Sequence, residues 1–253
     1  MTTTVPQAQA VSAPGTGPRQ APLGPVGAAV HQRINALQRG YLDDRSDAVS
    51  TLARLRRGIG RSAGETPDLW GLIGTEPLYA RYERGEVAEE AMRWAEEAAY
   101  AAVTLWSLHQ QSHHIARMHR RPGPELGSAV RRLHPGSKID EPTRKRFVRV
   151  GTAATPAVLA GRLRDLVLLF RRDTIPLDYA LLADQLHTWQ QPGGSSSVRR
   201  SWGRSYLAVH RPASAGGTTE AGQGTAEAGH STAEAGQSTP DDPDTTTPED
   251  DTP

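Results

Sequence analysis

The sequence predicts an all-α protein: two small helical bundles with disordered N- and C-terminal tails. Three observations predict it. Apolar residues recur at helical spacing through most of residues 46–207. No hairpin-turn dipeptide stands between alternating β-branched residues. Both ends lack large apolar side chains. Residues 1–26 are mostly Pro, Gly, Ala, Gln and Thr, and 212–253 carry TAEAGHS and TAEAGQS back to back before PDDPDTTTPEDDTP. Such ends cannot bury enough apolar area to offset the entropy of ordering. The seven-residue repeat makes no coiled coil, because alanine is its only apolar residue and every copy holds a glycine.

The elements follow in order. Ser46 or Asp47 caps a helix through SDAVSTLARLRR. Pro67 and Pro77 open short turns. GEVAEEAMRWAEEAAYAAVTLWSLH begins with glutamates, which the helix dipole favours there. One of its faces carries Val87, Ala91, Trp94, Ala98, Ala101 and Leu105; Ala95, Ala99, Val103 and Trp106 fill much of the rest. A helix apolar over most of its circumference is expected at the centre of the first bundle. ELGSAVRRL is a short helix ended by His134-Pro135-Gly136, and EPTRKRFVRV starts with Pro142 in its first turn. TPAVLAGRLRDLVLLFRRD aligns Leu159, Leu163, Leu166 and Phe170. PLDYALLADQLHTW aligns Leu177, Ala180, Leu181, Asp184 and Leu186, broadened by Tyr179 and Leu182, and SVRRSWGRSYL closes the core.

Charge divides the chain. The overall net charge is +1, yet 212–253 hold nine acids and no Lys or Arg. Residues 28–116 hold 10 basic and 12 acidic residues, whereas 117–211 hold 18 basic and seven acidic, net +11. The expected organisation is therefore a tail over 1–26, a helical bundle over 27–116, a basic helical bundle over 117–211, and an acidic repeat tail over 212–253. Nearly all the basic residues of the second bundle are arginine, which suits bidentate contacts to phosphate. The bland reading is a solvated surface rich in arginine. There is no cysteine, so disulfides and thiolate metal sites are excluded and a reducing cytoplasm is expected. The apolar run AAYAAVTLW has nine residues, well short of the ~20 that span a bilayer.

Three stretches invite a chemical reading. His109 and His113 in HQQSHH have the i, i+4 spacing of zinc ligands on one helix face. Gln110 stands where a metalloprotease carries its glutamate, and glutamine has no carboxylate to serve as general base. No third ligand stands at a recognisable spacing, so no metal is expected. Hydrogen bonding at the helix end, packing, or contact to a nucleic acid remain as roles. GIGRSAG, residues 58–64, fails as a dinucleotide loop because its third glycine comes one residue late and a helix precedes it. It reads as a helix stop and a flexible arm, preceded by Arg56 and Arg57. Those two suit a phosphate or simply the helix C-terminal dipole. The strongest basic run holds Arg131, Arg132, Lys138, Arg144, Lys145, Arg146 and Arg149. Lys145, Arg146 and Arg149 share one helix side, away from Phe147 and Val148. Arg164, Arg171 and Arg172 lie opposite the Leu159–Phe170 stripe. Two successive basic faces favour a phosphate-binding surface. Trp202 and Tyr206 read as core in preference to base-stacking residues. No nucleophile–base pair is visible, so no enzyme and no cofactor are expected.

In sequence order, LARLRRGIG, PDLWGLIG, LHQQS, MHRRPGPELGSAVRRL, RKRFVRV, LAGRLRDLVLLFR, IPLDYALLADQLHTWQ and VRRSWGRSYL occur over about residues 30–210. Together they resemble the CasB family, the small subunit of the type I-E CRISPR Cascade complex. The resemblance implies an all-α, non-catalytic protein present as a pair within a cytoplasmic ribonucleoprotein complex of antiviral defence. Its partners would be the backbone and large subunits, the guide RNA, and the target and non-target DNA strands. Its basic surface would steady the R-loop without reading sequence. Arg56, Arg57, Arg131, Arg132, Lys138, Lys145 and Arg146 match the family's basic positions, and Arg144, Arg149, Arg162 and Arg164 extend the set. The proline-rich head and acidic tail fall outside the family pattern. Two rivals from other classes are a stand-alone helical DNA-binding regulator, which needs a base-reading recognition helix, and a pure protein scaffold.

Overall fold

A computed structural model describes residues 22–134 and 140–208. Most of the expected head, the whole expected tail and Lys138 lie outside the described residues. Among the described residues there are nine α-helices and no strand, only an isolated bridge between His119 and Leu177. The all-α expectation holds.

Helix α1 (Pro25–Leu42) went unread in the sequence, and it corrects the tail boundary at 26. Val26 is buried in the core rather than part of a disordered end. Proline at the first turn presets the backbone, but Gly24, the N-cap residue, has no side chain to cap with. The cap arrives from far along the chain. Asp184 accepts the backbone N–H of Gly24 at 2.8 Å and of Gly27 at 2.7 Å. A Cβ at Gly27 would stand 2.2 Å from an Asp184 oxygen, so this approach requires glycine. Burial, opposed by these two N–H donors, raises the pKa of Asp184.

Helix α3 (Glu76–Glu83) stands where only a short turn was expected at Pro77, and the remaining helices lie close to their predicted places: α2 (Ser46–Arg57), α4 (Glu89–Gln110), α5 (Leu126–Arg132), α6 (Glu141–Gly151), α7 (Pro156–Arg172), α8 (Tyr179–Gln190) and α9 (Gly194–Leu207). Three of their caps follow local sequence, with Asp140 accepting from the Thr143 N–H, Thr155 from the Val158 N–H and Asp178 from the Leu181 N–H. Helix α4 is central, touching α1, α2, α3, α7 and α8. Its most buried side is the one carrying Ala95, Ala99, Val103 and Trp106, while Ala91, Trp94 and Ala101 are half-buried. Trp106 is wholly buried, and its indole N–H faces the Gln38 side-chain oxygen at 3.4 Å. On α7, Leu159, Leu163, Leu166 and Phe170 are all buried as expected. Each side chain of this size contributes ~1.5–3 kcal/mol on leaving water.

Packing crosses the charge boundary at 116. Helix α8 rests on α1 and α4, α7 rests on α4, and one apolar cluster contains Ile34 and Trp106 together with Leu166 and Leu182. The connector between α4 and α5 is stapled by two buried glutamines. Gln38 donates to the His119 carbonyl at 3.1 Å and accepts the His119 N–H at 2.8 Å. Gln110 donates to the carbonyls of His113 and Ala116 and accepts the Met118 N–H at 3.0 Å. An irregular segment is thereby given hydrogen-bond partners in a dry interior, where unmatched backbone groups are costly. No helix among the described residues is long and apolar enough to cross a membrane.

Candidate nucleic-acid interface

Helix α6 carries the densest basic surface. Thr143 and Val150 are buried and Phe147 is half-buried, packing against Tyr206 of α9 with ring centroids 5.2 Å apart. At ~100° per residue this fixes the helix rotation. Arg144, Lys145, Arg146 and Arg149 are consequently all exposed. Val148 is turned outward among them, 49% exposed, which corrects its expected place on the opposite side. The helix start is firm. The Asp140 carboxylate accepts the Thr143 N–H at 2.9 Å and hydroxyl at 2.7 Å, and these bonds hold its pKa below the usual value, helped by His134 and Arg146. Arg144 forms one surface pair, 3.3 Å from Glu141. Lys145, Arg146 and Arg149 take part in no described ion pair.

Neighbouring helices add to this surface. Arg131 of α5 and Arg144 line one small cleft with Thr143 and Tyr206, and Arg131 donates to the His134 carbonyl at 3.1 Å. Arg162 of α7 donates to the Arg149 carbonyl, closing the C-terminal end of α6. Its guanidinium is therefore partly committed to holding two helices together. Arg132 is half-buried, and burial lowers its pKa. Sequence reasoning missed three more cations: Arg199, Arg200 and Arg204 on α9 are exposed. The signal was available, since Val198 and Trp202 are both buried and leave these arginines on the outer side.

Other predicted residues stand apart. Arg164 is two positions from Arg162, about 200° around α7, so the two face different sides. Arg56 and Arg57 end α2, the first half-buried and the second exposed. The two remaining arginines of the α7 face are engaged. Arg171 donates to the Gln111 carbonyl at 3.1 Å, and Arg172 pairs with Asp173 at 2.7 Å. The glycine arm after Arg57 is fixed instead of flexible. Tyr100 donates to the Gly58 carbonyl at 2.8 Å, Glu97 accepts the Ala63 N–H, and Ser62 and Glu65 form a capping box.

The histidines serve structure. His109 is completely buried, 2.9 Å from the Tyr179 hydroxyl, and burial lowers its pKa to about 3. His113 reaches the Arg171 carbonyl at 3.0 Å, and His114 stacks on Tyr41. His119 lies 2.9 Å from His31, and its Nδ1 accepts the Tyr179 N–H at 3.2 Å, which places the proton on Nε2. Burial lowers its pKa to about 3 as well. Among the described residues no three His, Asp or Glu side chains stand together as metal ligands. Trp202 is 1% exposed and donates to Gln185 at 2.7 Å, a core residue as expected.

Residues 51–207 match the model of a family described as CRISPR-associated protein Cse2. The chain is similar to a crystal structure of CasB from Thermobifida fusca, with 51% sequence identity and a TM-score of 0.67. That match covers 74% of this chain and 100% of the other. A crystal structure of CasB from Thermus thermophilus matches at 22% identity and a TM-score of 0.48, over 70% of this chain and 96% of that one. A comparison with curated proteins gives no match.

Proposed function

The chain belongs to the CRISPR-associated Cse2 family, and from that premise we propose that it is the non-catalytic small subunit of a type I-E Cascade complex. In this reading it grips sugar–phosphate backbone without sequence preference and stabilises the guide RNA–target DNA R-loop and the displaced strand. Its neighbours are the backbone and large subunits and a second copy of itself. One observation carries the reading: a single short helix turns Arg144, Lys145, Arg146 and Arg149 to solvent together, against two acids among the described residues at its start, Asp140 and Glu141, the first of them engaged in capping the helix. Arg131 lies beside that helix, and α9 exposes Arg199, Arg200 and Arg204. A subunit serving every guide and target has to bind phosphate and leave base reading to the paired strands. Arginine and lysine with little competing acid meet that need.

The test is a gel shift of the full chain on single-stranded DNA of two unrelated sequences across a salt series. Equal affinity for both, falling with salt, is expected. Lys145→Glu with Arg146→Glu should weaken binding by about tenfold or more and flatten the salt slope by ~0.7 per lost contact, with an unchanged melting temperature. Tight binding to one duplex would indicate a stand-alone regulator. No binding even at low salt would leave a protein scaffold.

A further inference from the structure

The motif PDLWGLIG contributes nothing to the basic face, yet it builds a second surface on the opposite kind of chemistry. Trp70 is 71% exposed, while Leu69 and Ile73 on either side are buried. Such an exposed indole is usually mobile; this one is framed. Positive φ at Gly71 and Gly74 allows the turn, Arg33 donates to the Leu72 carbonyl at 2.8 Å, and the Arg33 side chain packs where a Gly74 Cβ would stand. Trp70, Ile73, Tyr79, Glu96, Glu97 and Tyr100 line a cleft of about 390 Å³. Tyr79 and Glu96 also border an adjoining cleft edged by Glu89 and Glu90.

The charge in this place is unbalanced. Glu96 and Glu97 are half-buried neighbours that enter no described ion pair; Glu96 is met by the Tyr79 hydroxyl and Glu97 by the Ala63 N–H at 3.1 Å. Burial raises the pKa of both carboxyls. The one cation lining the cleft among the described residues, Arg93, leans towards Glu90 at 3.7 Å. Aromatic walls above desolvated carboxylates are the arrangement that binds a cationic side chain by its charge and its aliphatic stem together. A phosphate backbone would meet these carboxylates with repulsion. We propose that the Trp70–Tyr79 cleft receives a lysine or arginine side chain from a neighbouring protein in the assembled complex. A Trp on a braced turn and a Tyr lining the same cleft are also the composition of a binding hot spot.

The test uses the complex assembled by co-expression with its partner subunits, with the wild-type chain as the control for assembly. A photoreactive benzoylphenylalanine in place of Thr75, on the cleft rim, should cross-link to a partner peptide bearing Lys or Arg at the site. Trp70→Ala, and separately Glu96→Gln with Glu97→Gln, should each lower recovery of the chain in the complex about tenfold. The free variants should keep their melting temperature and their affinity for single-stranded DNA. A cross-link to nucleic acid, a cross-link to a peptide without Lys or Arg, the absence of any cross-link, or unchanged recovery of both variants would overturn the proposal. Failure of the phosphate-binding reading would instead appear in the gel shifts, which these variants leave alone.

Discussion

HQQSHH and RKRFVRV are both polar stretches about one helix long, and they meet opposite fates. In the first, His109 and Gln110 are wholly buried, His109 beside the Tyr179 hydroxyl and Gln110 bonded to the backbone of His113, Ala116 and Met118. In the second, Arg144, Lys145, Arg146 and Arg149 face water, with the two acids Asp140 and Glu141 at the helix start. The difference lies in what surrounds each run. The histidine stretch ends a helix flanked by α1, α7 and α8, which bring the Tyr41 hydroxyl to the Ser112 N–H, the Tyr179 hydroxyl to His109 and the Arg171 carbonyl to His113. Helix α6 packs on one side only, through Thr143, Phe147 and Val150. Polar residues given partners hold the fold, and polar residues left without them are available to a ligand.

The largest way to break the dry region is acid. An unfolded chain protonates its histidines near pH 6.5, whereas folded His109 and His119 take a proton only near pH 3. Stability is therefore intact above pH 6.5 and falls as the pH drops towards 3. At pH 5 the loss is about 2 kcal/mol for each histidine, read as a lower denaturation midpoint than at pH 7.5. Next in size, Gln38→Leu leaves both backbone groups of His119 and the Trp106 indole without their partner, at a cost of ~2–4 kcal/mol in chemical denaturation. The wet region should respond in binding alone. Arg56→Glu with Arg57→Glu should weaken DNA binding less than the Lys145 and Arg146 pair does, because these two stand apart on α2 and Arg56 is half-buried; gel shifts at ~50 mM salt rank the two pairs. Smallest of all, Arg172→Ala removes a surface pair with Asp173 and should change stability by less than ~0.5 kcal/mol.

Much of this was legible in advance. Apolar spacing gave four of the five buried residues of α7, and Pro142 marked the start of α6. Helix α1 escaped because its N-terminus carries no local capping side chain, only an aspartate from α8. For the candidate surface, composition identified the basic half but not the duties of each cation. Arg162 and Arg171 look like Lys145 in a sequence, yet each is tied to a backbone carbonyl of another segment. The α9 arginines follow the same periodicity as those of α6, since Val198 and Trp202 turn inward and leave Arg199, Arg200 and Arg204 outside. The spacing of His109 and His113 was real, but spacing could not tell that their rings reach different partners.

The aspartate that seals α1 has a consequence for how the molecule is made. It lies 160 residues downstream of the glycine it holds. On a ribosome adding 5–20 residues each second, the opening helix emerges roughly 8–30 s before its seal exists. Throughout that interval Val26 and Val30 have no α8 to lie against, so the apolar side of this helix stays uncovered until the far end of the fold has been made.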